Sequence, residues 1–121
     1  MTKRILVVED QEDNRRIVRD LLTSVGFELI EATTGEEGVR QAHQQRPDLI
    51  LMDIQMPVMD GYEATRQIKA IPELRETPIV VVTSYAMSGD EAKARAAGAD
   101  AYIAKPFSPR DLLAVIKKFV G

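Results

Sequence analysis

Three runs of consecutive apolar residues constrain this chain most: Ile5-Leu6-Val7-Val8, Leu49-Ile50-Leu51-Met52 and Ile79-Val80-Val81-Val82. Each is too short for a helix and lacks the alternation of a half-wetted strand. Such runs predict strands buried on both faces, as in a parallel sheet. The stretches between them carry helical spacing. Ile17, Val18, Leu21, Leu22 and Val25 share one face of a helix predicted from about Glu12 to Val25, with Gly26 as its left-handed cap. Phe27 to Ala32 reads as a more polar strand, nearer a sheet edge. Thr34 and Glu37 predict a capping box for a second helix. That helix turns Val39 and Ala42 inward and is stopped by Pro47. A third helix is expected from about Tyr62 to Ala70, carrying Ala64 and Ile68. Ser88-Gly89-Asp90-Glu91 opens a fourth, alanine-rich helix, and Gly98 closes it. Ala101 to Ala104 is a last strand. Ser108 and Pro109 open a final helix, pinned by Leu112, Leu113, Val115, Ile116 and Phe119.

Five strands thus alternate with five helices. The pattern predicts an α/β fold: a three-layer, doubly wound, parallel five-stranded sheet of flavodoxin-like type, in strand order 2-1-3-4-5. A chain of 121 residues is one ordinary domain, and no linker or effector domain is expected within 1–121. There is no cysteine, so disulfides and thiolate metal sites are excluded. Net charge is −3, with 16 basic and 19 acidic residues spread along the chain. A nucleic-acid module usually carries a basic stripe, and none is visible. The opening Met1-Thr2-Lys3-Arg4 leads into an apolar run too short for a signal sequence or membrane span. A cytoplasmic location without membrane attachment is expected.

In such sheets ligands bind outside the carboxyl ends of the strands, at the switch point between the first and third. The first strand runs into Glu9-Asp10. The third runs into Asp53, where Pro57 and Asp60-Gly61 then turn the chain. The fourth ends in Thr83 and the fifth in Lys105-Pro106. One sheet edge therefore gathers three carboxylates, a hydroxyl and an ammonium. Alone, a strand-end lysine is usually solvated and a strand-end threonine is usually a good strand former. Together they call for chemistry. Three close carboxylates repel, and a divalent cation relieves them. Oxygen donors without His or Cys suit Mg²⁺, with Mn²⁺ as its substitute. An aspartate beside Mg²⁺ can attack phosphorus and form an acyl phosphate. Lys105 could pair with Asp53 at rest and with a phosphoryl oxygen afterwards, and Thr83 could donate to another. His43, the only histidine, is read as an exposed surface residue. Met52 and Met56 are read as filling space beside the site.

These residues carry a resemblance. Glu9-Asp10, Asp53, Met56-Pro57-x-Met59-Asp60-Gly61, Thr83-Ser84, Gly98-Ala99-Asp100 and Lys105-Pro106-Phe107 resemble the receiver domain of two-component response regulators, over the whole chain. The resemblance implies that Asp53 accepts a phosphoryl group from a phosphohistidine on a sensor histidine kinase or a histidine phosphotransfer protein. It implies that Asp10, Asp53 and the backbone carbonyl of Gln55 bind Mg²⁺ directly, with Glu9 acting through water. It implies that Thr83 and Tyr102 form a switch pair and that Lys105-Pro106 is a cis peptide. If Thr83 moves to donate to a phosphoryl oxygen, Tyr102 and the anchor-poor fourth helix should follow, so output is expected through the fourth helix, fifth strand and fifth helix. Gln55 and Tyr85 are assigned to tuning hydrolysis. Tyr85, two residues past Thr83, is placed to screen the acyl phosphate from water.

Two positions depart from the family pattern. Glu9 stands where many members have Asp, and its longer side chain should still reach a metal-bound water. Ala101 replaces an acid that often serves an intersubunit ion pair, so a monomer or weak homodimer is expected. Ala86-Met87-x-Gly89-Asp90-Glu91 is similar to single-domain cell-cycle regulators and to receivers attached to hybrid sensor kinases. The chain is accordingly expected to be a regulatory phosphoacceptor rather than an enzyme, or else the receiver of a hybrid histidine kinase. A Mg²⁺-dependent aspartyl-phosphate phosphatase usually needs a second acid where Gln55 stands. A flavin or nucleotide module would need a phosphate-binding loop where Glu9-Asp10-Gln11-Glu12-Asp13 is acidic.

Overall fold

The computed structural model describes residues 2–83 and 90–120. Its strands are β1 (Arg4–Val8), β2 (Glu28–Ala32), β3 (Leu49–Asp53), β4 (Ile79–Thr83) and β5 (Ala101–Ala104). Its helices are α1 (Glu12–Ser24), α2 (Gly35–Gln45), α3 (Gly61–Ala70), α4 (Asp90–Ala97) and α5 (Pro109–Val120), with a short 3-10 turn at Pro72–Leu74. The strands are parallel and lie in the order β2-β1-β3-β4-β5, as the alternating pattern predicts. The more polar β2 is indeed an edge. No described helix is long and apolar enough to cross a membrane.

Alternation along the strands divides the core into two layers. Leu6, Val8, Ile50, Met52, Ile79 and Val81 point to one face and pack against α2, α3 and α4 through Ala42, Ala64, Ile68 and Ala94. Ile5, Val7, Leu49, Leu51, Val80 and Val82 point to the other and meet Leu22 of α1 and Leu112 and Ile116 of α5. All five residues of β3 and all five of β4 are buried. Each fully buried Val, Leu or Ile contributes about 1.5–3 kcal/mol, so these central strands are the rigid floor of the molecule.

Local signals account for most of the boundaries. Thr34 Oγ1 accepts from the Glu37 amide at 3.0 Å, as a cap should. The return half of the box is displaced by one residue, since Glu37 Oε1 takes the Thr33 amide at 2.6 Å. Ser108 Oγ caps α5 by accepting from the Asp111 amide at 3.1 Å. The stop of α2 is set by Pro47, as expected. It falls on Arg46, which is left-handed with φ 47°, because a residue before proline is sterically barred from continuing the helix. On α1 the predicted apolar face is only partly buried. Leu22 is buried, but Ile17 is 62% and Val25 45% exposed. The inward stripe instead runs Arg15, Val18, Leu22, with Val18 half-buried and Arg15 the helix's other buried residue. The Ser88-Gly89 cap and Met87 lie outside the described residues.

Candidate functional site

Register decides which side chains meet. Val7 pairs with Leu51 and Val8 with Met52, so the residues one step beyond, Glu9 and Asp53, fall side by side. Both continue the row that faces α1 and α5. Ile103 lies in that row on β5, and two residues later so does Lys105. Parallel strands of nearly equal length thus deliver two carboxylates and an ammonium to one corner of the sheet edge.

Lys105 Nζ lies 2.9 Å from Glu9 Oε1 and 3.6 Å from Asp53 Oδ1. Its principal partner is therefore Glu9, not Asp53 as the residue types alone propose. Glu9 Oε2 also accepts from the Gln11 amide at 3.1 Å. Asp53 is 7% exposed. Burial, and then the charge of Glu9, push its carboxyl up to about 7, against the pull of Lys105. Burial also pushes Glu9 upward, but the Lys105 hydrogen bond and the Gln11 amide outweigh it and hold Glu9 below the usual carboxylate range. Burial and the hydrogen bond with Glu9 raise Asp10. One ammonium cannot neutralise three carboxylates, and the least compensated of them is Asp53.

Glu9, Asp10 and Asp53 can each offer an oxygen so that all three lie within 4.8 Å of one another. That donor set, hard and anionic with surplus negative charge, fits a cation such as Mg²⁺. Gln55 is exposed just past Asp53. Tyr85 lies outside the described residues.

The loop after Asp53 folds back on it. Asp60 caps α3 by accepting from the Glu63 amide at 2.9 Å, and the Gly61 amide donates to the Ile54 carbonyl at 2.9 Å. A Cβ on Gly61 would stand 2.2 Å from the Asp53 carbonyl oxygen. The Asp60-Gly61 pair is thus more than a turn: α3 is seated end-on against the backbone that carries Asp53. Met52 and Met56 are buried beside it.

Thr83 is 2% exposed and belongs to the opposite row, facing α3 and α4. It pairs with Ala104, while Tyr102 pairs with Val81. Thr83 and Tyr102 therefore share a face as diagonal neighbours. The Lys105 amide donates to the Thr83 carbonyl at 2.7 Å, and the Lys105–Pro106 bond is cis.

Beside Asp53, between α1 and the turn into α5, lies a cleft of about 470 Å³. Ile17 and Val18 form one wall, Pro106, Phe107 and Leu112 the other, with Glu9, Asp53 and Lys105 at its polar end. This explains the exposed Ile17: the helix face is apolar, but part of it borders a cleft instead of the core. His43 is exposed and far down α2, as expected. Sequence reasoning missed Arg15, whose guanidinium reaches the Glu9 carbonyl. A charged residue in phase with the apolar stripe Val18 and Leu22 is the signal that could have found it.

Residues 5–117 match the model of the response regulator receiver domain. The polar-differentiation response regulator DivK of Brucella ovis is 44% identical over 121 residues, covering 100% of this chain and 98% of its own. Among solved structures, the receiver domain of the sensor histidine kinase PA1611 from Pseudomonas aeruginosa PAO1 is 38% identical with TM-score 0.93, covering 100% of this chain and 99% of that one. That structure holds a magnesium ion coordinated in its active site cleft. The chemotaxis protein CheY4 of Vibrio cholerae is 29% identical with TM-score 0.93, over 98% of this chain and 99% of that one.

Proposed function

Since the chain belongs to the response regulator receiver domain family of two-component signalling, we propose that it is a phosphoacceptor switch in which Asp53 takes a phosphoryl group from a partner's phosphohistidine. The observation that carries this reading is the buried, undercompensated Asp53, 3.6 Å from Lys105 and clustered with Glu9 and Asp10. An Asp53 oxygen attacks phosphorus as the bond to the histidine nitrogen breaks. Lys105 leaves Glu9 to meet a phosphoryl oxygen. Asp10, Asp53 and the Gln55 carbonyl would hold Mg²⁺ (or Mn²⁺), with Glu9 acting through water. The ion, when bound, neutralises charge on the carboxylates and on the transferred group. The donor is a histidine kinase or phosphotransfer protein, and the cleft walled by Ile17 and Phe107 gives it an apolar foothold beside Asp53. Gln55 and Tyr85 tune hydrolysis of the product.

The chain acts in the cytoplasm as a regulator without enzyme turnover, as a monomer or weak homodimer, with residues 1–121 forming one receiver domain. The alignment with 98% of the Brucella response regulator supports the signalling-switch reading. A second reading, the receiver of a hybrid kinase, is supported by the likeness to the PA1611 receiver.

The test is labelling by acetyl phosphate. Wild type should incorporate acid-labile, hydroxylamine-sensitive phosphate in Mg²⁺ and none in chelator, and Asp53→Asn should incorporate none. Equal labelling of the two proteins removes Asp53 from the centre of the reading.

Output is proposed to run through Thr83 and Tyr102 to α4, β5 and α5. Their shared face supports this, as does the scarcity of large anchors on α4, which buries only Ala94 and Ala97 among its residues 91–97. Thr83 moves toward a phosphoryl oxygen, and the Tyr102 ring follows into the space beside β4, shifting the population of that surface. Thr83→Ala should still accept phosphate but lose the phosphate-dependent changes in amide NMR signals of residues 84–97 and Tyr102. Wild-type shifts in that variant would move the switch to another contact.

A further inference from the structure

We propose that Arg15 is a positioning residue for the acidic cluster, holding the backbone of Glu9 so that the carboxylates of Glu9 and Asp10 converge with that of Asp53. The inference rests on the metal-dependent reading above. Its geometry lies outside the carboxylate cluster itself.

Strand β1 ends at Val8, so the Glu9 carbonyl has left the ladder. Glu9 is 5% exposed, and a buried carbonyl needs a donor. Arg15 Nη1 supplies it at 2.9 Å. On the other side of the same residue, the Glu9 amide donates to the Ala32 carbonyl of β2 at 3.0 Å. Glu9 is thus clamped at both peptide groups, and the clamp fixes where Glu9 and Asp10 point. A donor bearing charge makes a stronger bond than a neutral one.

Arg15 is itself held. It is 9% exposed. Nε donates to Glu31 Oε1 at 3.3 Å, and Nη2 contacts Glu12. Glu31 sits on β2 and is also gripped by Arg19 at 2.7 Å and 2.8 Å. The Arg19 hydrogen bond, foremost, holds the Glu31 carboxyl below its ordinary range, with Arg15 adding to it. A planar guanidinium can serve a carbonyl and two carboxylates at once, and a lysine ammonium cannot span that set. The chain of contacts therefore runs from the edge strand through Glu31 and Arg15 to the Glu9 carbonyl.

The test is Mg²⁺ affinity measured by calorimetry on wild type and Arg15→Met. Supporting partners of metal ligands typically control roughly 10–100-fold in affinity, and a loss of about tenfold or more is expected. The sign separates the alternatives. If Arg15 acted only through its positive charge, removing it would tighten Mg²⁺ binding. If it only stabilised the fold, the melting temperature would fall with the Kd unchanged. Either outcome overturns the proposal. Glu31→Gln loosens Arg15 without emptying its site, and a smaller weakening of about two- to fivefold is expected by the same reasoning. That variant carries the test should Arg15→Met fail to fold. In the double variant the Glu31 effect should vanish, since it acts through Arg15; full additivity would overturn the chain of contacts. Failure of wild type to bind Mg²⁺ would instead remove the metal-based reading, a result distinct from unequal sensitivity of the variants.

Discussion

Asp53→Asn should melt well above wild type at pH 8 in chelator, and the gap should close by about pH 4. The cause is the carboxyl itself. Burial and the Glu9 charge push it up to about 7, from 3.8 in the unfolded chain. Between those values the native state keeps a proton that the unfolded chain has released. Stability therefore falls as pH rises through this window, and above it the full cost of an ionised Asp53 is present. A perturbation of this size is worth on the order of 3 kcal/mol, or roughly 10 °C of melting temperature for a domain of this length. Asp10, also raised, adds to the same trend. Glu9 opposes it, since its lowered value gives stability above 4.5 that is lost on acidification. Asparagine keeps the shape and removes the charge, while Lys105 retains Glu9 at 2.9 Å. Thermal melts of both proteins across pH check this. A gap equal at pH 4 and pH 8 would mean that Asp53 ionises without strain. Mg²⁺ at pH 8 should narrow the gap by stabilising wild type through mass action.

The same physics explains what the sequence shows and what it hides. Strands β3 and β4 are legible because burial on both faces leaves no room for polar residues. Their carboxyl ends are legible because the residue after an apolar run stands at the sheet edge. Asp53, Thr83 and Lys105 could be placed from that alone. Which partner Lys105 chooses could not. The choice between Glu9 and Asp53 is a matter of side-chain reach across three strands, and nothing in the spacing of residues 9, 53 and 105 encodes it. Helix α1 shows a similar limit. Its apolar stripe is wider than the face it buries, because Ile17 borders the cleft. Periodicity reports apolar residues, not what covers them. Arg15 was hidden for the converse reason: a charged residue reads as solvent-facing unless its phase with Val18 and Leu22 is weighed above its type.

Gly61→Ala should lower stability and cripple phosphorylation together. Gly61 is the first residue of α3, and a Cβ added there would lie 2.2 Å from the Asp53 carbonyl oxygen, 2.7 Å from Ile54 Cα and 2.9 Å from the Asp53 carbonyl carbon. All three are backbone atoms, so no side-chain rotation relieves the contact. Relief needs α3 to back away from β3, breaking the bond from the Gly61 amide to the Ile54 carbonyl at 2.9 Å, or Asp53 to shift. Overpacking of this kind costs about 1–3 kcal/mol, with the upper end expected against rigid backbone. A displacement of about 1 Å at a reacting group can cost roughly 100-fold in rate. Helix propensity argues the other way, since alanine is favoured over glycine inside a helix by about 1 kcal/mol. The sign of the change in melting temperature therefore decides which effect governs. A fall, joined to a loss of acetyl phosphate labelling at a temperature where the variant is still folded, is expected. A rise with normal labelling would mean that α3 can retreat freely and that its seat against Asp53 does not hold the acceptor in place.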